Sequence, residues 1–356
     1  MRSRLCRLSA VILAGTISVL SGCGSENKET VEDSTLPNPT AITIGFAQVG
    51  EESDWRRANS ESIRSTFSAD NGYNLIYEDS ENDPEKQMSA VRKFIQEGVD
   101  YIVLEPIVED GWDNIFEEVK EAGIPLIVAD RMVSVSDDSL YSAWVGSDTL
   151  LEGERACTWL DLFAVSENIA PEDIRIVNIM GTEGSSPQIG RDSALKSAAQ
   201  KYGWSFLGSE PGEFTQAKGK EAMEKLITDH PDLNVVYCDN DNEAYGAIDI
   251  LKGKGKTIGS DISAGEIMVI SFDSSKGGLE CVKNGTIACN CECNPLLGPK
   301  IEAIIKKLEA GENIEKKQYV DEQIFAISSD VESITVRGKK YPVINVTDDL
   351  LKNRVY

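Results

Sequence analysis

Residues 42–77 read ITIGFAQVGEESDWRRANSESIRSTFSADNGYNLIY. An apolar run at 42–46 gives way to a polar loop. A segment of helical spacing over 55–70 follows and stops at Asn71-Gly72, and a second apolar run occupies 75–77. Short strands that are apolar throughout have no wet face. Alternating with helices, they form a parallel sheet covered on both sides.

The unit repeats along the chain. Helix 84–97 has Asp83 as its N-cap and Gly98 as its stop. Strand 101–104, helix 112–121 and strand 125–129 complete a first set. A second set places strands at 174–179, 204–207, 235–238, 267–272 and 286–293, with helices at 189–201, 218–228, 242–251, 279–283 and 299–308. Between 130 and 148 the rhythm breaks in a stretch rich in Ser and Asp, where the chain is expected to pass from one lobe to another. The fold class is therefore α/β, as two doubly wound parallel-sheet lobes.

The first 22 residues are expected to be a removable signal. Arg2, Arg4 and Arg7 precede an apolar run from Leu8 to Leu20, which closes on Leu20-Ser21-Gly22-Cys23. The run is shorter than the roughly 20 residues of a membrane-spanning helix. Cys23 is the expected lipidation site, and two acyl chains would make a stable membrane anchor. Residues 23–40, polar and proline-containing, read as a flexible tether.

The net charge is −25, and the three signal arginines count toward it, so the remainder is more acidic still. Such a surface repels phosphate backbones, which argues against nucleic acid as a partner. Of eight cysteines, Cys157, Cys238, Cys281, Cys289, Cys291 and Cys293 lie in the expected folded body. Cys289, Cys291 and Cys293 alternate, so a strand would turn all three to one face. They lack a second CxxC or a nearby histidine, so small apolar core residues are expected here, with no metal and no cofactor.

Ligands of open α/β sheets bind beyond the carboxyl ends of the strands. The polar residues at those ends are Glu52, Trp55 and Arg56, then Asp130 and Arg131. The second half supplies Arg191, Asn240, Asp273 and Glu292. Carboxylates, amides and guanidinium groups suit a polyol, because each hydroxyl both donates and accepts. Trp55 would add apolar area against a ring. Gly181–Gly184 lacks the Gly-Lys-Ser/Thr ending of a P-loop, and no GxSxG nucleophile turn occurs. No enzyme is expected.

With these residues in view, the chain from about Ala41 onward resembles the type I periplasmic-binding-protein family, sugar-binding lipoproteins of ABC transporters. The resemblance lies in Ile44-Gly45-Phe46-Ala47-Gln48-Val49-Gly50, Glu52-Ser53-Asp54-Trp55-Arg56, Asp130-Arg131, Gly190-Arg191 and Asp239-Asn240-Asp241. The stretch around Trp55 is nearest the galactofuranose-binding branch. The resemblance implies a three-strand hinge, crossed near Gly146, Asn294 and Asp321. One lobe would hold 41–146 plus 294–321, and the other 147–293 plus 322–356.

It also implies that Trp55 stacks on the sugar, flanked by Glu52 and Arg56. Asp130 and Arg131 would grip hydroxyls from one lobe, and Arg191, Asn240 and Asp273 from the other. The further polar ligand is expected at Glu292 or at the next position, Cys293. The expected function is capture of a neutral monosaccharide, galactofuranose-like or another hexose or pentose, for ABC permease transmembrane subunits. The protein would be a monomer outside the cytoplasmic membrane, tethered by lipid at Cys23. The alternative is a sensor presenting sugar to a membrane receptor kinase or chemoreceptor.

Overall fold

A computed structural model describes residues 41–327 and 330–356. The expected signal, the tether and Cys23 lie outside them. The described chain forms two lobes whose sheets are parallel except for two antiparallel strand pairs in the second. The first sheet has the order β11-β5-β4-β3-β1-β2. Its strands are β1 (Ile42–Gln48), β2 (Tyr73–Asp79), β3 (Tyr101–Leu104), β4 (Leu126–Ala129), β5 (Ala143–Gly146) and, from far along the chain, β11 (Lys317–Tyr319).

The second sheet has the order β13-β14-β12-β10-β9-β8-β6-β7. It contains β6 (Arg175–Met180), β7 (Ser205–Pro211), β8 (Val235–Cys238), β9 (Met268–Asp273) and β10 (Cys289–Glu292). Beyond these lie β12 (Ile324–Ala326), β13 (Ser333–Val336) and β14 (Lys339–Asn345). The chain passes between the sheets three times: after β5, after β10, and between β11 and β12.

The central strands β3, β4, β8 and β9 are buried at every residue. That is why they read as continuous apolar runs rather than alternating ones. The helices α1 (Asp54–Thr66), α2 (Pro84–Glu97) and α3 (Asp113–Ala122) belong to the first lobe. There follow α4 (Thr149–Ser166), α5 (Ser186–Tyr202), α6 (Gln216–Asp229), α7 (Asp241–Gly253), α8 (Lys276–Lys283), α9 (Gly298–Glu309) and α10 (Asp348–Asn353). Asp83 caps α2 by accepting from the N–H groups of Glu85 and Lys86, and Gly98 ends it with φ +66°, as its sequence implied.

The region read as a break, 130–148, contains β5, and α4 directly follows it. Periodicity did not mark α4, because Glu152, Gly153, Arg155, Ala156, Cys157 and Trp159 are all buried and leave no clean polar stripe. The cysteine strand is shorter than expected. Cys289 and Cys291 pack in the second-lobe core, but β10 ends at Glu292, and Cys293 joins the apolar cluster of the first lobe. The three thiols therefore do not form one surface. All six described cysteines are unpaired by disulfide.

The two sheets share a topology in which the third and fourth strands correspond, β3 with β8 and β4 with β9. Glu105 and Asp239 follow the third strands, and Asp130 and Asp273 stand at the ends of the fourth. Asp130 and Asp273 both have left-handed backbones, with φ +59° and +93°, a conformation that Asp tolerates better than most residues. The lobes touch across the gap. Asp54 N–H donates to Asn242 Oδ1 at 3.0 Å, and Met132 N–H donates to Ser186 Oγ at 2.9 Å.

Candidate functional site

Between the lobes, at the carboxyl ends of both sheets, lies a small cavity. Glu52, Trp55, Arg56, Asp130 and Arg131 line it from one side, and Arg191, Asn240 and Asp273 from the other. Eight of the nine expected positions therefore meet at one cavity.

On the first lobe Arg56 is the centre. Ser53 caps α1 by accepting from Arg56 N–H, which sets Trp55 and Arg56 in the first turn, facing the cavity. The guanidinium donates from Nε to Glu52 Oε1 at 3.1 Å, from Nη1 to Glu105 Oε2 at 2.5 Å and from Nη2 to Asp130 Oδ2 at 2.8 Å. Burial works against its charge, but Glu52, Asp130 and Glu105 more than offset this and hold it ionised. Glu52 is thus not a free acid, since Arg56 and, at 3.3 Å, Arg131 both pair with it. Arg131 also donates to the carbonyl of Ile107 at 2.9 Å and lies 5.3 Å from the Phe214 ring centre.

Two buried atoms of these cavity-lining residues remain without a partner, the donor Arg131 Nε and the acceptor Glu52 Oε2. A buried polar atom without a hydrogen bond is costly, and a hydroxyl, which both donates and accepts, is able to pair with either kind of atom.

On the second lobe Arg191 donates from Nε at 2.9 Å and from Nη2 at 2.7 Å to Glu152 Oε2, and from Nη1 to the carbonyl of Asp239 at 2.5 Å. Asn240 caps α7 in a capping box with Glu243. Its amide donates to the carbonyl of Phe214 at 3.0 Å, so it holds the aromatic wall. Asp273 is buried, and burial together with Asp241 pushes its carboxyl well above the usual carboxylate range.

Trp55 Nε1 donates to the carbonyl of Cys293 at 2.7 Å. The Arg56 guanidinium lies 4.6 Å from its ring centre, so the indole is fixed at both edge and face.

Glu292 is the exception. Its Oε1 accepts from Arg354 at 2.7 Å and from the Tyr356 hydroxyl at 2.6 Å, and its Oε2 accepts from Gln323 N–H at 2.9 Å. Those partners turn it away from the cavity, and Cys293 lines the wall instead. Of the two expected positions it is thus Cys293, just past the end of β10, and not Glu292 that lines the cavity, because Arg354, Tyr356 and Gln323 claim the Glu292 carboxylate.

Sequence reading did not mark Phe214 and Pro187, which also line the cavity. The strand expected at 204–207 runs on to Pro211, so the search beyond its end stopped short of Phe214. Glu105, at the end of β3, was missed although the strand-end rule reaches it.

Burial, opposed by Arg56, pushes Glu105 up to about 7. Its folded value lies above its unfolded one, so its contribution is complete at low pH and is lost as pH rises through 7. Glu105→Gln should therefore give a shallower fall in Tm than the wild type between about pH 5 and pH 8. Identical slopes in a melting series would contradict this placement.

Residues 44–292 match the family described as the periplasmic binding protein domain. The chain belongs to that family. Members of the family are extracytoplasmic binding proteins of transport systems.

The galactofuranose-binding protein of Escherichia coli is 32% identical over 288 residues, covering 80% of this chain and 87% of that relative. The ribose import binding protein of Salmonella typhimurium is 27% identical and covers 88% of this chain and 95% of its own. Among solved structures, a Mycobacterium smegmatis protein in complex with β-D-fucofuranose aligns with TM-score 0.75 and 37% identity, covering 80% of this chain and 91% of that one. The arabinose transporter component of a Shewanella species, bound to α- and β-L-arabinofuranose, aligns with TM-score 0.73 and 32% identity, covering 80% and 92%.

Proposed function

We propose that this protein is an extracytoplasmic solute-binding lipoprotein that captures one neutral monosaccharide in a furanose form and delivers it to an ABC permease. The observation that carries this reading is the cavity itself. Asp and Arg from the first lobe oppose Asp, Arg and Asn from the second, and a buried donor and acceptor are left open. Sugars of relatives in this family, galactofuranose, fucofuranose and arabinofuranose, support the furanose class.

Residues 41–146 with 294–321, and 147–293 with 322–356, would move as two bodies about the three crossings. Sugar that touches both bodies favours the closed state by differential affinity. No nucleophile or proton-transfer pair is needed for that work, and the protein acts as a monomeric binder rather than an enzyme. A thermal-shift panel of D-galactose, D-fucose, L-arabinose, D-ribose and D-fructose tests the class. Ligand at about 100 times its Kd adds about 2.7 kcal/mol, and a panel without any shift would sink the reading.

Two further outcomes are expected. Trp55→Phe should remove most of the sugar-induced change in tryptophan fluorescence, and a signal that survives at full size would take Trp55 out of the site. Cys23→Ser should release the protein from the membrane fraction, and retention after a salt wash would overturn the lipid anchor.

A further inference from the structure

Beside the cavity, the three passes of chain between the lobes converge on the carboxyl group of Glu322, which lies between β11 and β12. Its Oε1 accepts the hydroxyl of Ser147, from the first pass, and the N–H of Asn294 at 3.0 Å, from the second. The Arg155 guanidinium of α4 donates to its backbone carbonyl at 3.3 Å. Glu292 adds a further negative charge from the end of β10.

One side-chain oxygen of Glu322, one of Glu152 and the Cys293 sulfur all lie within 4.8 Å of one another. Ser147 Oγ is 3.4 Å from that sulfur. Glu152 is fully buried. Its Oε2 takes both bonds from Arg191, and its Oε1 has no partner.

This cluster holds two carboxyl groups, one thiol and one guanidinium. Arg191 neutralises one negative charge, and a second anion within 4.8 Å of the buried Glu152 is disfavoured, with Glu322 itself partly buried. We propose that Glu322 is a positioning residue for the sugar site: as a neutral carboxylic acid it ties the three crossings together and leaves Arg191 as the sole charge partner of Glu152. Arg191 then stays bonded to Glu152 and to the carbonyl of Asp239 at the cavity wall.

Burial and the neighbouring Glu152 raise the Glu322 carboxyl well above its ordinary value, while Ser147 and Asn294 act the other way. Burial, with Glu152 next, raises the Cys293 thiol too. The contribution of Glu322 is complete below the ordinary carboxylate range and is lost as pH rises through its folded value. The binding half of this assignment rests on the sugar-binding reading, and the hinge half does not.

The test uses the full chain, with Glu322→Gln and Glu322→Ala. Glutamine keeps the acceptor for Ser147 and Asn294 and presents an N–H where the acid presents its O–H. Tm is followed without sugar from about pH 5 to about pH 10, and Kd is measured with D-fucose. The wild type should lose Tm toward high pH more steeply than Glu322→Gln. At pH 7 Glu322→Gln should bind D-fucose within about threefold of wild type, and Glu322→Ala on the order of tenfold more weakly.

Equal pH slopes in wild type and Glu322→Gln would overturn the assignment, as would a Gln variant as weak as Ala. Stoichiometric zinc lost on Cys293→Ser would overturn it as well, since the cluster would then hold a cation. If D-fucose fails to bind the wild type, the sugar reading for that probe fails, and the sugar-free Tm comparison still decides the hinge role.

Discussion

Arg191→Met should abolish measurable sugar binding and lower stability by roughly 3–5 kcal/mol. Both effects have one cause. Arg191 is 2% exposed, and Glu152, its partner at 2.7 Å, is fully buried. Methionine fills the volume but leaves Glu152 as an uncompensated buried anion beside Glu322 and Asp239, which is the costly way to break an enclosed ion pair. The double variant Arg191→Met with Glu152→Leu should recover most of the stability and none of the binding. Urea unfolding and calorimetric titration of the same preparations check the two halves separately. A single variant as stable as wild type would mean that the pair is not enclosed as described.

Asp130→Ala should weaken sugar binding by about 2–5 kcal/mol, roughly 30- to 4000-fold. Asp130 accepts from Arg56 at 2.8 Å and has Arg131 as its chain neighbour. Its removal leaves two buried guanidinium groups with less counter-charge at a ligand wall. Alanine also strains the backbone, because Asp130 sits at φ +59°, where a non-Gly, non-Asx residue costs roughly 1–2 kcal/mol. Asp130→Asn separates the terms, since asparagine tolerates that conformation and lacks the charge. Binding weakened in both variants, with Tm lowered mainly in the alanine one, is the expected pattern. Wild-type affinity in Asp130→Asn would remove the charge from the account.

The fold was legible because its central strands are buried on both faces and separated by capped, amphipathic helices. Helix α2 shows why: an Asp cap, Pro at its start and a left-handed Gly at its end fix both termini locally. Helix α4 was not legible, because it is covered on most sides and carries buried Glu152 and Arg155 on the same surface as Trp159. The strands β11 to β14 were also missed. β11 and β12 have three residues each and pair with β5 and β10, far away in sequence, whereas β13 and β14 form a hairpin that joins the sheet through β12.

For the site, strand ends pointed to Asp130, Arg191 and Asp273 because topology alone delivers those positions to the gap. Glu292 and Cys293 could not be separated this way. Which of two neighbours faces the cavity depends on where β10 ends, and the partners that claim Glu292, Arg354 and Tyr356, lie more than 60 residues away in sequence. Phe214 depended likewise on β7 running to Pro211.

Calorimetric titration of the purified full chain with D-fucose at neutral pH tests the central claim most directly, using Arg191→Met as the control. The account predicts saturable binding at one site per chain, absent from the Arg191→Met protein. No heat and no thermal shift with D-fucose, D-galactose or L-arabinose, from protein that melts cooperatively, would contradict it.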